Sequence, residues 1–98
     1  MILELTEITV KAVDEAAFEA GVTLAAPLFL QAKGCRGVSL HRVVENPGTY
    51  RLLVRRETID NHMVDFRNSD GYQEWRRLVS PCFNGTPNVT HSEAVAKY

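Results

Sequence analysis

Residues 50–83 read YRLLVRRETIDNHMVDFRNSDGYQEWRRLVSPCF, which is typical of one strand followed by two short helices. Tyr50, Leu52 and Val54 fall on one face of a run of β-forming residues, so we predict a strand over 50–57. Most of the large aromatic residues of the chain lie in this strand–helix–helix unit. We expect the rest of the chain to supply the sheet on which the unit lies.

The two helices of this unit are predicted from caps and apolar spacing. Thr58 is placed to cap the first, on which Met63 and Phe66 recur on one side and are expected to face the core. The segment 68–71, Asn-Ser-Asp-Gly, breaks that helix and can cap the next. An apolar stripe on the second helix consists of Tyr72, Trp75, Leu78 and Val79, and Pro81 ends the helix.

The segment before this unit predicts a strand and a long helix. Residues 1–11 alternate with apolar side chains on both faces, which indicates an interior strand. Asp14 is expected to cap a helix that runs to Gly34, with an apolar stripe at Phe18, Val22, Ala25, Phe29 and Ala32. Pro27 lies inside this helix, so we predict that the helix is kinked or divided there.

Two further strands complete the predicted sheet. Residues 35–45 alternate in the manner of a strand, and Asn46-Pro47-Gly48-Thr49 predicts a tight turn, so this strand and the one over 50–57 should form a hairpin. Residues 89–96 form the last predicted strand. The order is that of a ferredoxin-like β-α-β-β-α-β sandwich, an α+β fold with one antiparallel sheet and helices on one face.

The uncovered face of this sheet predicts a partner. Leu3, Leu5 and Leu53 would lie on the face that has no helices, and a second copy docked sheet to sheet would bury them. We therefore expect a homodimer.

Composition excludes several classes of function. The 98 residues are expected to form a single domain, 1–98, and the formal net charge of -1 gives no reason to expect nucleic acid as a partner. No apolar run is long enough for a membrane span, and no leader segment is evident. Cys35 and Cys82 match no metal-binding spacing and are expected to be reduced thiols, which favours the cytoplasm.

Several motifs resemble one family. The chain carries GCRG after the long helix, LLVRRET followed by IDNH, then DFRNSDGYQEW, and a P-x-F … P-x-V-x-H pattern that ends at His91. This succession resembles the antibiotic biosynthesis monooxygenase family of small dimeric ferredoxin-like proteins. The resemblance implies oxygenation of polycyclic phenols, anthrones or quinols by molecular oxygen, without flavin or metal, in a pocket between sheet and helices.

The chain departs from the family pattern at informative positions. Many members carry Trp late in the third strand, where this chain has Arg56. The haem-degrading branch needs an Asn, a Trp and an axial His at positions that hold Thr6, Phe66 and Arg76 here. Because no imidazole is present to ligate iron, we do not expect haem degradation.

Histidine is the natural base for cofactor-free oxygenation, because the substrate must lose a proton near neutral pH. His62 is predicted to lie at the rim of the pocket, and His91 lies on the last strand on the same side as Val89. Both match family positions and are the candidate catalytic residues. Each, like His41, is alternatively a surface or structural histidine.

The candidate substrate-binding residues each have a structural alternative. Phe66, Tyr72 and Trp75 could form an aromatic wall for a planar substrate, or only the core stripe of a helix. Arg56 could bind an anion or pair with an acid such as Glu57, and Asn61 could donate to a substrate oxygen or cap the helix.

We therefore predict a cofactor-independent monooxygenase that oxidises a small phenolic, quinol or anthrone-like compound. Molecular oxygen is the expected co-substrate, and no metal or organic cofactor is predicted. The alternative is a non-catalytic or stress-associated dimer of the same fold that only binds a small apolar ligand.

Overall fold

The structure, a computed structural model that describes residues 1–98, is a four-stranded antiparallel sheet with helices on one face. Its elements are β1 (Ile2–Thr9), α1 (Glu15–Leu30), β2 (Cys35–Arg42), β3 (Thr49–Arg56), a π-helix (Asn61–Phe66), α2 (Asp70–Val79) and β4 (Asn88–Glu93). The strand order is β2-β3-β1-β4. This topology confirms the predicted ferredoxin-like α+β fold.

The core lies between the sheet and the helices. Ile8 on β1, Val54 on β3 and Phe18 on α1 are each fully buried. The predicted stripe of α1 is confirmed for Val22, Ala25 and Phe29, which are buried as well, but the helix ends at Leu30 and not at Gly34, so Ala32 lies outside it. The helices therefore cover one face of the sheet only.

The predicted hairpin of β2 and β3 forms, and β2 and β4 both end earlier than expected. β2 ends at Arg42, because a turn begins after residue 42, and β4 ends at Glu93. In the turn the Thr49 amide donates to the Asn46 carbonyl at 3.1 Å, and the Asn46 side-chain amide donates to the Thr49 hydroxyl at 3.0 Å. Both bonds join the first and last residues of the turn predicted over 46–49.

Pro27 does not divide α1, which contradicts that part of the prediction. The helix is continuous from Glu15 to Leu30 with Pro27 inside it. Proline removes the hydrogen bond to the carbonyl four residues earlier, which belongs to Thr23. Thr23 and Pro27 are both exposed, so water can satisfy that carbonyl and the helix tolerates the loss.

The short helix after β3 is a π-helix, and this changes which of its side chains face inward. The Arg67 amide donates to the His62 carbonyl five residues earlier, at 3.2 Å. Phe66 is buried as predicted, but Met63 is 43% exposed and does not face the core. With the wider turn, Asn61 and His62 are buried instead. π-Helical turns of this kind occur frequently at functional sites.

The opposite face of the sheet has no helix above it. Leu3, Leu5 and Leu53 lie there, each of them only partly buried. None of the helices is both long enough and apolar enough to cross a lipid bilayer.

Candidate functional site

A cavity of about 460 Å³ lies between the sheet and the helical segment that follows β3. This volume is in the range of small-molecule sites. Glu4, Thr6 and His62 form its polar end. Arg67 and Arg76, both exposed to solvent, line it at the surface, which we call the mouth.

The cavity has an aromatic wall formed by Phe29, Phe66, Tyr72 and Trp75. The Phe29 ring lies 4.8 Å from that of Phe66 and 4.9 Å from that of Trp75, measured between centroids. Phe66 and Tyr72 meet edge to face at 5.7 Å. These contacts hold the rings in place, so the predicted stripe of α2 contributes both to the core and to the cavity.

A buried ion pair orients the polar end. Arg56 Nε donates to Glu4 Oε1 at 2.7 Å, and the Thr6 hydroxyl donates to Glu4 Oε2 at 3.2 Å. The Arg56 and Glu4 side chains are 0% and 3% exposed. Neither Nη atom of Arg56 has a hydrogen-bond partner, but the guanidinium carbon lies 4.9 Å from the Phe66 ring centroid. Cation–π attraction to this ring contributes to holding the buried charge.

His62 contacts both an acid and a second imidazole. Its Nδ1 lies 3.0 Å from His91 Nε2, so one ring donates a hydrogen bond to the other. The same Nδ1 lies 3.6 Å from Glu4 Oε1. A proton on His62 would thus have a carboxylate and an imidazole within reach.

The environment of His62 keeps its imidazole neutral. Burial lowers the pKa of His62 from 6.5 to about 4, because the imidazolium form is poorly solvated there. The Glu4 carboxylate opposes this shift, whereas the positive charge of Arg56 adds to it. At neutral pH the ring has one protonated and one unprotonated nitrogen, and the unprotonated nitrogen can accept a proton.

His91 lies just outside the main cavity. It lines a neighbouring groove of about 370 Å³, together with Ile59 and Met63. His62 lines both spaces, so it forms part of the partition between them. His41, in contrast, lies on the uncovered face of the sheet, where its Nε2 is 2.9 Å from the Ser39 hydroxyl.

Of the residues selected from the sequence, His62, Phe66, Tyr72 and Trp75 line the cavity together. Arg56 and Asn61 do not line it. The acid that Arg56 pairs with is Glu4, which the sequence analysis had not considered.

Asn61 holds the start of the π-helix in place. The Thr58 amide donates to Asn61 Oδ1 at 2.9 Å, and the Asn61 amide donates to the Thr58 hydroxyl at 3.2 Å, a reciprocal pair of the capping-box type. Gly34 lies so close that a Cβ there would meet Asn61 Oδ1 at 2.0 Å. The predicted capping role of Thr58 is confirmed.

Glu4, His62 and His91 also form a set of donors that a divalent cation could use, since their ligand atoms lie within 4.8 Å of one another. The members of this set are far apart in the chain, so no ligand spacing in the sequence indicates it. Arg56 already occupies Glu4 Oε1, and its fixed positive charge repels a second cation.

Glu4, Thr6, Arg67 and Arg76 line the cavity and were not selected as binding residues from the sequence. A signal for the first two was present, because Glu4 and Thr6 interrupt the inward face of an otherwise apolar strand. Polar residues at buried strand positions require partners, and such partners often form a site.

Comparisons with known proteins agree with this architecture. Residues 1–78 match the family model described as antibiotic biosynthesis monooxygenase. The Bacillus subtilis (strain 168) protein YczJ, described as uncharacterized, is 35% identical over 95 residues, which cover 97% of this chain and 100% of YczJ.

Solved structures show the same fold. A Bordetella bronchiseptica protein, proposed as an antibiotic biosynthesis monooxygenase, is 54% identical with a TM-score of 0.94, over 97% of each chain. A variant of SnoaB, described as a cofactor-independent oxygenase from Streptomyces nogalater, is 16% identical with a TM-score of 0.82, over 98% of this chain and 94% of SnoaB. The extent of the family match and the similarity to YczJ show that this chain belongs to the antibiotic biosynthesis monooxygenase family.

Proposed function

We propose that this protein oxidises a small phenolic, quinol or anthrone-type compound with molecular oxygen and without a cofactor. One observation carries the proposal: the buried imidazole of His62 lines an aromatic-walled cavity and lies 3.6 Å from the Glu4 carboxylate. Family membership supports monooxygenase chemistry, and SnoaB, which shares the fold, is described as a cofactor-independent oxygenase.

His62 is the proposed general base. It accepts the acidic proton of the bound substrate and leaves an electron-rich anion that can transfer an electron to oxygen. For an anthrone, the CH₂ group and O₂ give a C=O group and water, so the substrate itself supplies the electrons. Protonated His62 would be stabilised by Glu4 at 3.6 Å and could share its proton with His91 at 3.0 Å.

Arg56 and Asn61 are proposed as positioning residues. Arg56 holds the Glu4 carboxylate beside His62, and Asn61 fixes the turn from which the π-helix presents His62. The aromatic wall is proposed to bind the substrate ring and to exclude water from the reactive anion.

Oxygen uptake with a panel of quinols and anthrones under air tests the proposal. We expect His62→Gln to slow turnover by about 10²–10⁴-fold, because a general base contributes that much. His41→Gln is the matched control on the opposite face and should leave turnover unchanged. Dialysis against EDTA should also leave it unchanged. Equal rates for His62→Gln and the native chain would remove His62 from the mechanism.

A non-catalytic ligand-binding protein is the second candidate function. The low pKa of His62, about 4, favours it, because a base works best when its pKa is near the working pH. Ligands that quench Trp75 fluorescence without oxygen uptake would support this candidate. Turnover under argon would instead indicate an isomerase or lyase.

We also propose that the protein is a homodimer in the cytoplasm. The partly exposed Leu3, Leu5 and Leu53 on the uncovered face of the sheet support the dimer, and the unpaired thiols of Cys35 and Cys82 support a reducing compartment. Light scattering at micromolar concentration should give twice the chain mass of 11.0 kDa. A value near the single-chain mass would reject the dimer.

A further inference from the structure

The arginines of this chain differ in whether they have an acidic partner. The ion-paired ones are Arg36, Arg42, Arg51, Arg56 and Arg77, which contact Glu57, Glu19, Glu7, Glu4 and Glu74 respectively. Arg55, Arg67 and Arg76 have no carboxylate within ion-pair distance. Arg67 and Arg76 both line the cavity, whereas Arg55 lies on the uncovered face of the sheet. Two of the three arginines without an acidic partner therefore lie at the mouth.

The two mouth arginines converge on one side chain of the aromatic wall. The Arg67 guanidinium carbon lies 6.0 Å from the centroid of the Tyr72 ring. Burial by itself raises the pKa of Tyr72, but the neighbouring guanidinium groups of Arg76 and Arg67 outweigh this and lower the pKa below 10.0. The region around the Tyr72 hydroxyl thus favours negative charge.

No acid inside the cavity neutralises these cations. Glu4 is the only carboxylate among the lining residues, and it is already paired with Arg56. A neutral aromatic ligand would leave the charges of Arg67 and Arg76 without a partner. A ligand with a carboxylate would supply one, and the planar guanidinium matches carboxylate geometry.

We propose that the substrate is an aromatic carboxylate, whose anionic group is bound by Arg67 and Arg76 while its ring lies against Phe66 and Trp75. The orientation of the ring, with its hydroxyl toward His62, rests on the proposed function. The recognition of the anion does not, because it depends only on the mouth arginines.

Binding of matched ligands tests the recognition directly. Trp75 is the only tryptophan and lines the cavity, so its fluorescence reports occupancy. We expect 2-naphthoate to bind about tenfold more tightly than the neutral 2-naphthamide, a difference typical of one charge-assisted contact. High salt should reduce the preference, because the mouth is exposed to solvent.

The double variant Arg67→Gln/Arg76→Gln should abolish the preference for 2-naphthoate and leave the Kd of 2-naphthamide unchanged. Arg77→Gln is the matched control, since it removes the same charge from α2 at a residue that does not line the cavity. Arg76→Lys, with Arg67 intact, should retain part of the preference. Equal affinity for both ligands in the native chain, no binding of either, or a preference that survives the double variant would overturn the inference.

Oxygen uptake separates this inference from the oxygenase proposal. The quinols 2,5-dihydroxybenzoate and 2,5-dihydroxybenzamide differ only in the charged group. Oxidation of both at equal rates would support the oxygenase and overturn the anionic substrate. Preferred binding of the carboxylates with no oxygen uptake by either quinol would leave the anion site standing and contradict the oxygenase.

Discussion

The two faces of the sheet carry the same kind of ion pair in opposite surroundings. Glu4 and Arg56 join β1 to β3 on the helix-covered face, and both side chains are almost completely buried. Glu7 and Arg51 join the same strands on the uncovered face, where they are 45% and 49% exposed. Within one chain water screens the outer pair, whereas the inner pair must satisfy its charges inside the protein. The inner pair also acts on the neighbouring His62, whose pKa Glu4 raises and Arg56 lowers.

The largest expected effect comes from breaking the inner pair. Arg56→Met should lower the free energy of unfolding by about 3–5 kcal/mol, because it leaves Glu4 buried without its partner. Arg51→Met should cost only about 0–1 kcal/mol. Urea unfolding at pH 7 measures both, and similar losses for the two variants would contradict the contrast between the faces.

Leu52 and Leu53, which are adjacent on β3, test the contrast between the two faces for apolar side chains. Leu52 is 1% exposed and faces the helices, so Leu52→Ala should cost about 2–4 kcal/mol. Leu53 points to the uncovered face and is partly exposed, so Leu53→Ala should cost less within one chain. If the chain dimerises through that face, the native chain should become more stable as protein concentration rises, and Leu53→Ala, which weakens the dimer, should show a shallower dependence. Unfolding midpoints at several concentrations measure both effects.

The buried imidazole should make stability depend on pH. The pKa of His62 is about 4 in the folded protein, against the ordinary value of 6.5 for the unfolded chain. Between these two pH values the unfolded chain therefore binds more protons than the folded protein. Stability should therefore fall as pH decreases from 6.5 to 4, with a contribution from His62 of about 2–3 kcal/mol.

Comparison of variants isolates that contribution, since the carboxylates titrate in all of them. His62→Gln should show a flatter dependence of the unfolding free energy on pH than the native chain. His41→Gln, on the uncovered face, should retain the native slope. Parallel curves for the native chain and His62→Gln would show that burial does not depress the pKa of His62.

The smallest expected effect concerns a single hydrogen bond. Thr6→Val removes the hydroxyl that donates to Glu4 Oε2 and should cost about 1 kcal/mol. Thr90→Val, on β4 opposite Leu5, is the exposed control and should change stability by less than about 0.5 kcal/mol. Urea unfolding of both variants measures the difference, and equal costs would show that the bond adds no stability.

Much of the fold could be predicted from local patterns. Alternation in β1 and β3, the hairpin turn at 46–49 and the apolar stripe of α1 each depend on residues close in sequence. Capping by Thr58 and by Ser69, whose hydroxyl accepts from the Tyr72 amide at 3.2 Å, is equally local. Such features follow from backbone geometry and side-chain chemistry over a few residues.

The site is predictable only in part. Phe66, Tyr72, Trp75 and His62 could be selected because they share the helical segment that follows β3. The inward turn of His62 could not, because an α-helical period places Met63 on the core side and only the π-helix reverses this. The packing of a whole helix against the sheet decides between those two periods.

The order of the elements, the faces of the strands and the aromatic character of the helices follow from short-range spacing along the chain. The meeting of Glu4, Arg56, His62 and His91 beside the cavity does not follow from it and requires the folded chain. Their meeting depends on the pairing register of β1 with β3 and β4 and on burial that shifts the pKa of His62. The register and the burial both depend on segments that are far apart in the chain, and the interior in which they pack solvates charge poorly.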